Sequence, residues 1–117
     1  MSNKDTGFLG ENITTNYLTQ NGFEILHRNW RYKHLEIDII ASKQGILHII
    51  EVKTRSDIQF GYPEQAITSK KMQFLKNAAA HYQYEYPHWK YLQFDVAALY
   101  LNLSKQWDLL FIEDVYF

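Results

Sequence analysis

The stretch Leu35-Glu36-Ile37-Asp38-Ile39-Ile40-Ala41-Ser42-Lys43-Gln44-Gly45-Ile46-Leu47-His48-Ile49-Ile50-Glu51-Val52-Lys53 decides the fold. Its first part alternates apolar and polar residues with period two, as a strand does when successive side chains point to opposite faces. Ser42-Lys43-Gln44-Gly45 is turn-like. Ile46 to Lys53 is mostly apolar and β-branched, the pattern of a strand buried on both faces. The stretch therefore reads as a β-hairpin whose second strand lies inside a sheet.

Upstream, Thr6 to Gln20 is expected to be helical. Leu9, Ile13 and Tyr17 recur at helical spacing, and Asn21-Gly22 supplies a stop. Phe23 to Trp30 reads as a first strand. Downstream, Ser56 to Tyr62 is a loop that holds Gly61 and ends at Pro63. A second helix follows, capped by Thr68 or Ser69 and closed by Pro87, with Met72, Leu75, Ala79 and Tyr82 as its apolar stripe. Trp89 to Leu101 and Trp107 to Ile112 are the last strands, joined by a turn over Asn102 to Gln106. The order is α-β-β-β-α-β-β, an α/β chain with a mixed central sheet flanked by helices. No repeat, low-complexity tract or linker interrupts the 117 residues, which read as a single domain, 1–117.

Hydrophobic residues make up 46% of the chain and charged residues 21%, a balance that calls for a packed core and excludes disorder. The chain has no cysteine, which excludes disulfide scaffolds and thiolate metal sites. No apolar run approaches the ~20 residues of a membrane helix, and Met1-Ser2-Asn3-Lys4-Asp5 leads into no signal-peptide core. A cytoplasmic protein with no membrane partner is expected. The five histidines show no paired spacing, so zinc is not expected. Nine Tyr, seven Phe and three Trp can thicken a small core or stack on nucleobases. Trp89, Trp107, Tyr116 and Phe117 are candidates for a homodimer surface. The net charge of −1 counts against a general duplex binder, although a carboxylate-rich site lowers net charge and a bound cation restores it where phosphate sits.

The chemistry lies in the polar residues that interrupt the hairpin. Glu36 and Asp38 share one face of their strand, and Glu51 and Lys53 share one face of theirs. With a four-residue loop between Ala41 and Ile46, Glu36 lies opposite Glu51 and Asp38 opposite Ile49, and all four point to one side. Asp38 and Glu51 are then diagonal neighbours, with Cβ atoms up to ~7–8 Å apart. Charges set into apolar strands are costly unless partnered. A cation answers both the desolvation and the mutual repulsion, and all-oxygen ligation suits Mg²⁺ or Mn²⁺. Lys53 can orient a water or stabilise charge on a phosphate, although a salt bridge to Glu51 or Glu36 would leave the same trace. Glu36 reads as a partner of Arg31 or Lys53 rather than a ligand. Glu11 falls within roughly 20° of Leu18 on a helical wheel, at the edge of the apolar face, from which it can look into the site. Arg28, Arg31, Lys33 and Arg55 read either as phosphate contacts or as a solvated face. Lys71 can face the site. Gln65 either touches DNA or caps the second helix, and Asp95 is either structural or a surface acid at the sheet edge.

Asp38 followed by Glu51-Val52-Lys53 resembles the PD-(D/E)xK signature of restriction-endonuclease-like nucleases. More closely, the chain resembles the YraN-like family of small bacterial proteins, relatives of Holliday-junction resolvases. The matching pieces are Gly10-Glu11, Arg28-Asn29-Trp30-Arg31, Glu36-Ile37-Asp38, Glu51-Val52-Lys53-Thr54-Arg55, Phe60-Gly61 with Pro63, Ala66, Thr68, Lys71 and Phe94-Asp95. They span most of the chain in the family's order. The resemblance implies a restriction-endonuclease-like α-β-β-β-α-β core. It also implies metal ligation by Asp38, Glu51 and the Val52 carbonyl, Lys53 at the water, and Glu11 as a supporting acid. Ile37 stands where the superfamily motif has Pro, Leu35 where Gly is frequent, and Gln93 where Arg is frequent.

The expectation is thus a Mg²⁺- or Mn²⁺-dependent endonuclease acting on DNA, branched or structured DNA included. Its catalytic residues would be Asp38, Glu51, Lys53 and Glu11, and its nucleic-acid contacts Arg28, Arg31, Arg55 and Lys71. The alternatives are a non-catalytic nucleic-acid-binding module on a nuclease fold and a protein-interaction role through exposed aromatics.

Overall fold

The computed structural model describes residues 3–55 and 68–115. They form α1 (Asn3–Gln20), β1 (Glu24–Tyr32), β2 (Leu35–Lys43), β3 (Ile46–Arg55), α2 (Ser69–Glu85), β4 (Leu92–Leu101) and β5 (Trp107–Ile112). The five strands make one sheet in the order β1-β2-β3-β4-β5. All pairs are antiparallel except β3 with β4. A parallel pair cannot be joined by a tight turn, and α2 lies in the crossover that this pair needs.

The expected hairpin is present, and its loop is shorter than the sequence reading. Lys43 pairs with Ile46 and Ala41 with His48, so only Gln44 and Gly45 lie between the strands. Both have positive φ, 53° and 81°, as a two-residue type I′ turn demands; its twist matches that of the strands, and Gly meets the second position without strain. Ser42 and Lys43, polar and turn-like in composition, therefore extend β2. The register moves by an even step, which keeps the facing of the paired residues from Ile39 to Lys43. Ile49 pairs with Ile40 rather than with Asp38, which lies one step beyond the last partners, Ile39 and Ile50.

β3 is central, and its alternation feeds two cores. Leu47 and Ile49 pack with Ile40, Phe94 and the α2 stripe of Met72, Leu75, Ala78, Ala79 and Tyr82. Ile50 packs on the other face with Ile39, Ala41, Ala97, Leu99 and Leu18 of α1, and Ile13 and Tyr17 cover that cluster. The mixed sheet is therefore flanked by helices, as expected, and β3 reads as apolar because both its faces are covered.

Other boundaries move by a few residues. α1 begins at Asn3, with Asp5 in its first turn, where negative charge suits the helix dipole. It ends after Gln20, where Phe23 N–H donates to the Leu18 carbonyl at 3.0 Å and Gly22 N–H to that of Thr19 at 3.3 Å, the bond pair of a Schellman motif. Thr68 is the cap of α2, its Oγ1 accepting from Lys71 N–H at 3.1 Å. β4 begins only at Leu92; Trp89 instead packs on the α2-side core, and Trp107 on the α1-side core. These two rings are therefore not the exposed surface the sequence reading made of them, and Tyr116 and Phe117 lie outside the described residues. Among those residues, no helix is long and apolar enough to cross a membrane.

Candidate active site

The paired strands deliver two acids to the point where their ladder ends. Beyond Ile39 and Ile50 the regular partners stop. There Asp38 takes over with its side chain, Oδ2 accepting the Val52 N–H at 2.8 Å. Burial pushes the Asp38 carboxyl up to about 7, helped by the charges of Glu51 and Glu11 and opposed by the Val52 N–H and Lys71. Its neighbour Glu51 is 3% exposed. Glu51 Oε1 has Lys53 Nζ and Lys71 Nζ each at 3.4 Å. Among the described residues, Glu51 Oε2 is buried and has no hydrogen-bond partner. A buried carboxylate oxygen left unpaired is costly, and a water or a cation would each satisfy it.

α1 approaches the same end of β3 through Gly10. A Cβ there would overlap Thr54 Oγ1, so only glycine lets the helix lie this close. The next residue, Glu11, receives a hydrogen bond from Asn29 Nδ2 at 2.9 Å and has Arg28 Nη2 at 3.6 Å. Its charge is felt at Asp38. Asn29 was given no role by sequence reasoning. Its φ of 53° is one that Asn tolerates better than most residues, and an amide between two arginines is the only local signal of it.

The structure thus brings Asp38, Glu51, Lys53 and Lys71 together, with Glu11 and Arg28 beside them. Other expected residues are engaged elsewhere. Arg31 Nη2 lies 3.4 Å from Glu36 Oε2, one of the pairings foreseen for Glu36. Arg55 Nη1 donates to the Thr54 carbonyl at 3.4 Å. Gln65 lies outside the described residues. Asp95 is not a surface acid: it is 2% exposed because β4 carries it against His48 of β3, with Nδ1 and Oδ2 2.6 Å apart.

Among the described residues no group of three or more His, Asp or Glu side chains is placed to hold a metal ion. The acids available as candidate donors are Asp38 and Glu51, whose charges act on each other. In general Mg²⁺ can be held by one or two carboxylates, with waters and substrate phosphate filling its octahedron.

The model of a family described as "Uncharacterised protein family UPF0102" matches residues 10–99, a span that holds Glu11, Asp38, Glu51 and Lys53. A UPF0102 protein of Flavobacterium psychrophilum is 37% identical over 97% of this chain and 94% of its own. One of Dictyoglomus thermophilum is 40% identical over 89% of each chain, and one of Clostridium perfringens 36% identical over 97% of this chain and 95% of its own.

Proposed function

The chain belongs to the uncharacterised protein family UPF0102, and from that premise we propose that it is a cytoplasmic Mg²⁺- or Mn²⁺-dependent endonuclease that hydrolyses phosphodiester bonds in DNA, branched or structured DNA in particular. The observation that carries the reading is Glu51 Oε2, buried and without a hydrogen-bond partner among the described residues, close enough to Asp38 for its charge to act there. A buried acid beside a half-buried one whose carboxyl is pushed up to about 7 is an arrangement that a shared cation would stabilise.

Asp38 and Glu51 would hold the ion, with the Val52 carbonyl as the further donor the resemblance implies. The bound ion would supply an activated water at neutral pH and charge neutralisation at the phosphate. Lys53, anchored on Glu51 Oε1, would orient that water in line with the scissile bond. Lys71 pairs with the same oxygen from α2, and its half-exposed ammonium could turn from there toward a non-bridging phosphate oxygen. Glu11, fixed by Asn29 and Arg28, supports from the α1 side.

A second reading has observations of its own. Among the described residues no three acids or histidines gather as a metal-holding group, and the net charge is −1. A non-catalytic module that binds nucleic acid with a cation would show the same residues. The deciding experiment is cleavage of a labelled four-way junction, flap, single strand, duplex and RNA in Mg²⁺, Mn²⁺ or EDTA, by wild type and Glu51→Ala. Metal-dependent cutting that disappears in folded Glu51→Ala supports the nuclease. Salt-dependent binding of the panel with no product from any of them supports the module.

A further inference from the structure

One flank of α2 and the turn between β1 and β2 carry aromatic rings and lysines that the hydrolytic site does not use. On α2, Lys70, Phe74, His81 and Tyr84 fall within about 40° of one line along the helix, turned away from the buried stripe. His81 lies flat on Tyr32 of β1, ring centroids 3.4 Å apart and planes at 14°. Tyr84 continues the row 6.3 Å from His81 with its plane at 27°. Lys33 Nζ sits 5.3 Å from the centre of the Tyr32 ring and Lys70 Nζ 5.8 Å from that of Phe74. Glu85 is bonded to His81 Nε2 at 2.9 Å.

Core packing accounts for Tyr32 and His81, which pin the turn to the helix. It does not account for Tyr84, 82% exposed, or Phe74, 39% exposed. The row from Tyr84 to Lys70 is about 21 Å long at 1.5 Å per residue. Its Lys70 end adjoins Lys71, whose ammonium is 3.4 Å from Glu51. Exposed rings interleaved with lysines are the chemistry of a single-strand platform, because every base has a π face to stack and every nucleotide a phosphate to neutralise. Bases inside a duplex already stack on one another and have no face to offer.

We propose that this row is a track for an unpaired strand of nucleic acid, whose bases stack on Phe74, Tyr84 and the Tyr32–His81 pair while Lys33 and Lys70 meet its phosphates. The inference deepens the nuclease reading and rests on it for the track's purpose: the strand leads along α2 toward Asp38 and Glu51, so the substrate class is DNA with an unpaired arm. Stacking also supplies affinity that a chain of net charge −1 does not gain from long-range attraction.

The test is fluorescence anisotropy of a labelled oligothymidylate, alone and annealed to oligoadenylate, in EDTA so that nothing is cut. Wild type should bind the single strand several-fold more tightly than the duplex. Tyr84→Ala and Phe74→Ala should each weaken single-strand binding by about five- to a hundred-fold and leave duplex binding unchanged. Tyr84→Trp, which keeps a ring, should bind as wild type does. Both positions face solvent, so unchanged thermal melts are expected and are checked alongside. Equal affinity for strand and duplex, or Tyr84→Ala that binds normally, overturns the track. So does a Tyr84→Ala chain whose only change is dissociation of a dimer in the ultracentrifuge, since the row would then cover a second copy. Strand binding by a protein that cuts nothing in Mg²⁺ or Mn²⁺ leaves the track standing and removes the nuclease; metal-dependent cutting without strand preference does the reverse.

Discussion

His48 Nδ1 lies 2.6 Å from Asp95 Oδ2 inside the sheet, although 47 residues separate the two along the chain. Their side chains are 5% and 0% exposed. The other oxygen, Asp95 Oδ1, accepts from Gln93 Nε2 at 2.9 Å and from Asp114 N–H at 3.0 Å. One carboxylate thus ties β3, β4 and the chain after β5, and the Phe23 ring packs edge-on to His48 at 4.9 Å. Asp95→Ala leaves these groups without their acceptor and should cost about 3–5 kcal/mol in urea denaturation. Asp95→Asn keeps one acceptor oxygen and should cost less. An unchanged midpoint in Asp95→Ala would mean the network adds nothing to stability.

Asp38 should make the metal-free protein less stable as pH rises. Its folded value of about 7 lies above the ordinary 3.8, so the native chain binds a proton that the unfolded chain gives up. The penalty is absent below pH 3.8, grows between 3.8 and about 7, and is constant above that. Asp38→Asn removes the ionisation and can still accept from Val52 N–H. In EDTA it should match wild type near pH 4 and be more stable by about 1–3 kcal/mol at pH 8. Equal stability of the two proteins at pH 8 would contradict the burial of this charge.

A related expectation concerns the cation itself. An ion that binds only the folded chain stabilises it in proportion to the logarithm of its concentration. Millimolar Mg²⁺ or Mn²⁺ should therefore raise the Tm of wild type at pH 8 and leave Glu51→Gln unmoved, because the amide removes the charge and offers one acceptor oxygen in place of two. An equal shift in both proteins would place the ion away from Glu51.

The hairpin was legible because its first strand alternates and its second does not, and the acids because they interrupt apolar strands. The turn length was not. Ser42 and Lys43 have turn composition, but strand twist favours a two-residue connection, and pairing outweighs composition. The partners of the acids were legible only in part. Lys71 reaches Glu51 through the docking of α2, and Asn29 reaches Glu11 through that of α1. His48 meets Asp95 through parallel pairing of strands that are far apart in sequence. Local patterns carry periodicity and facing; they do not carry which elements meet.

Gly10 and Thr54 make that docking testable. A methyl at Gly10 would overlap Thr54 Oγ1, with Thr54 Cβ at 3.4 Å and Cγ2 at 3.5 Å. Thr is stiff at χ1 and has little room to turn away. Gly10→Ala should therefore destabilise by about 1–3 kcal/mol despite the better helix propensity of Ala. Thr54→Ala in the same chain should recover most of the loss. Independent, additive effects in the double-mutant cycle would show that α1 does not lie as close to β3 as this contact requires.

Lys53 and Lys71 are equidistant from Glu51 Oε1, at 3.4 Å, yet they hang from different scaffolds. Lys53 projects from the same strand as the acid, two residues on. Lys71 reaches in from the first turn of α2, and its side chain is 35% exposed against 25% for Lys53. If Lys53 positions the water, Lys53→Ala should lower kcat by about a hundred-fold or more in a protein that melts normally. If Lys71 meets phosphate, Lys71→Ala should act mainly on KM and reduce the salt dependence of DNA binding by about one phosphate contact. Single-turnover cleavage across a range of salt concentrations separates the two effects. If both ammonium groups serve only to neutralise Glu51, the two variants will lose stability alike and turn over alike, and neither will show the kcat-against-KM split.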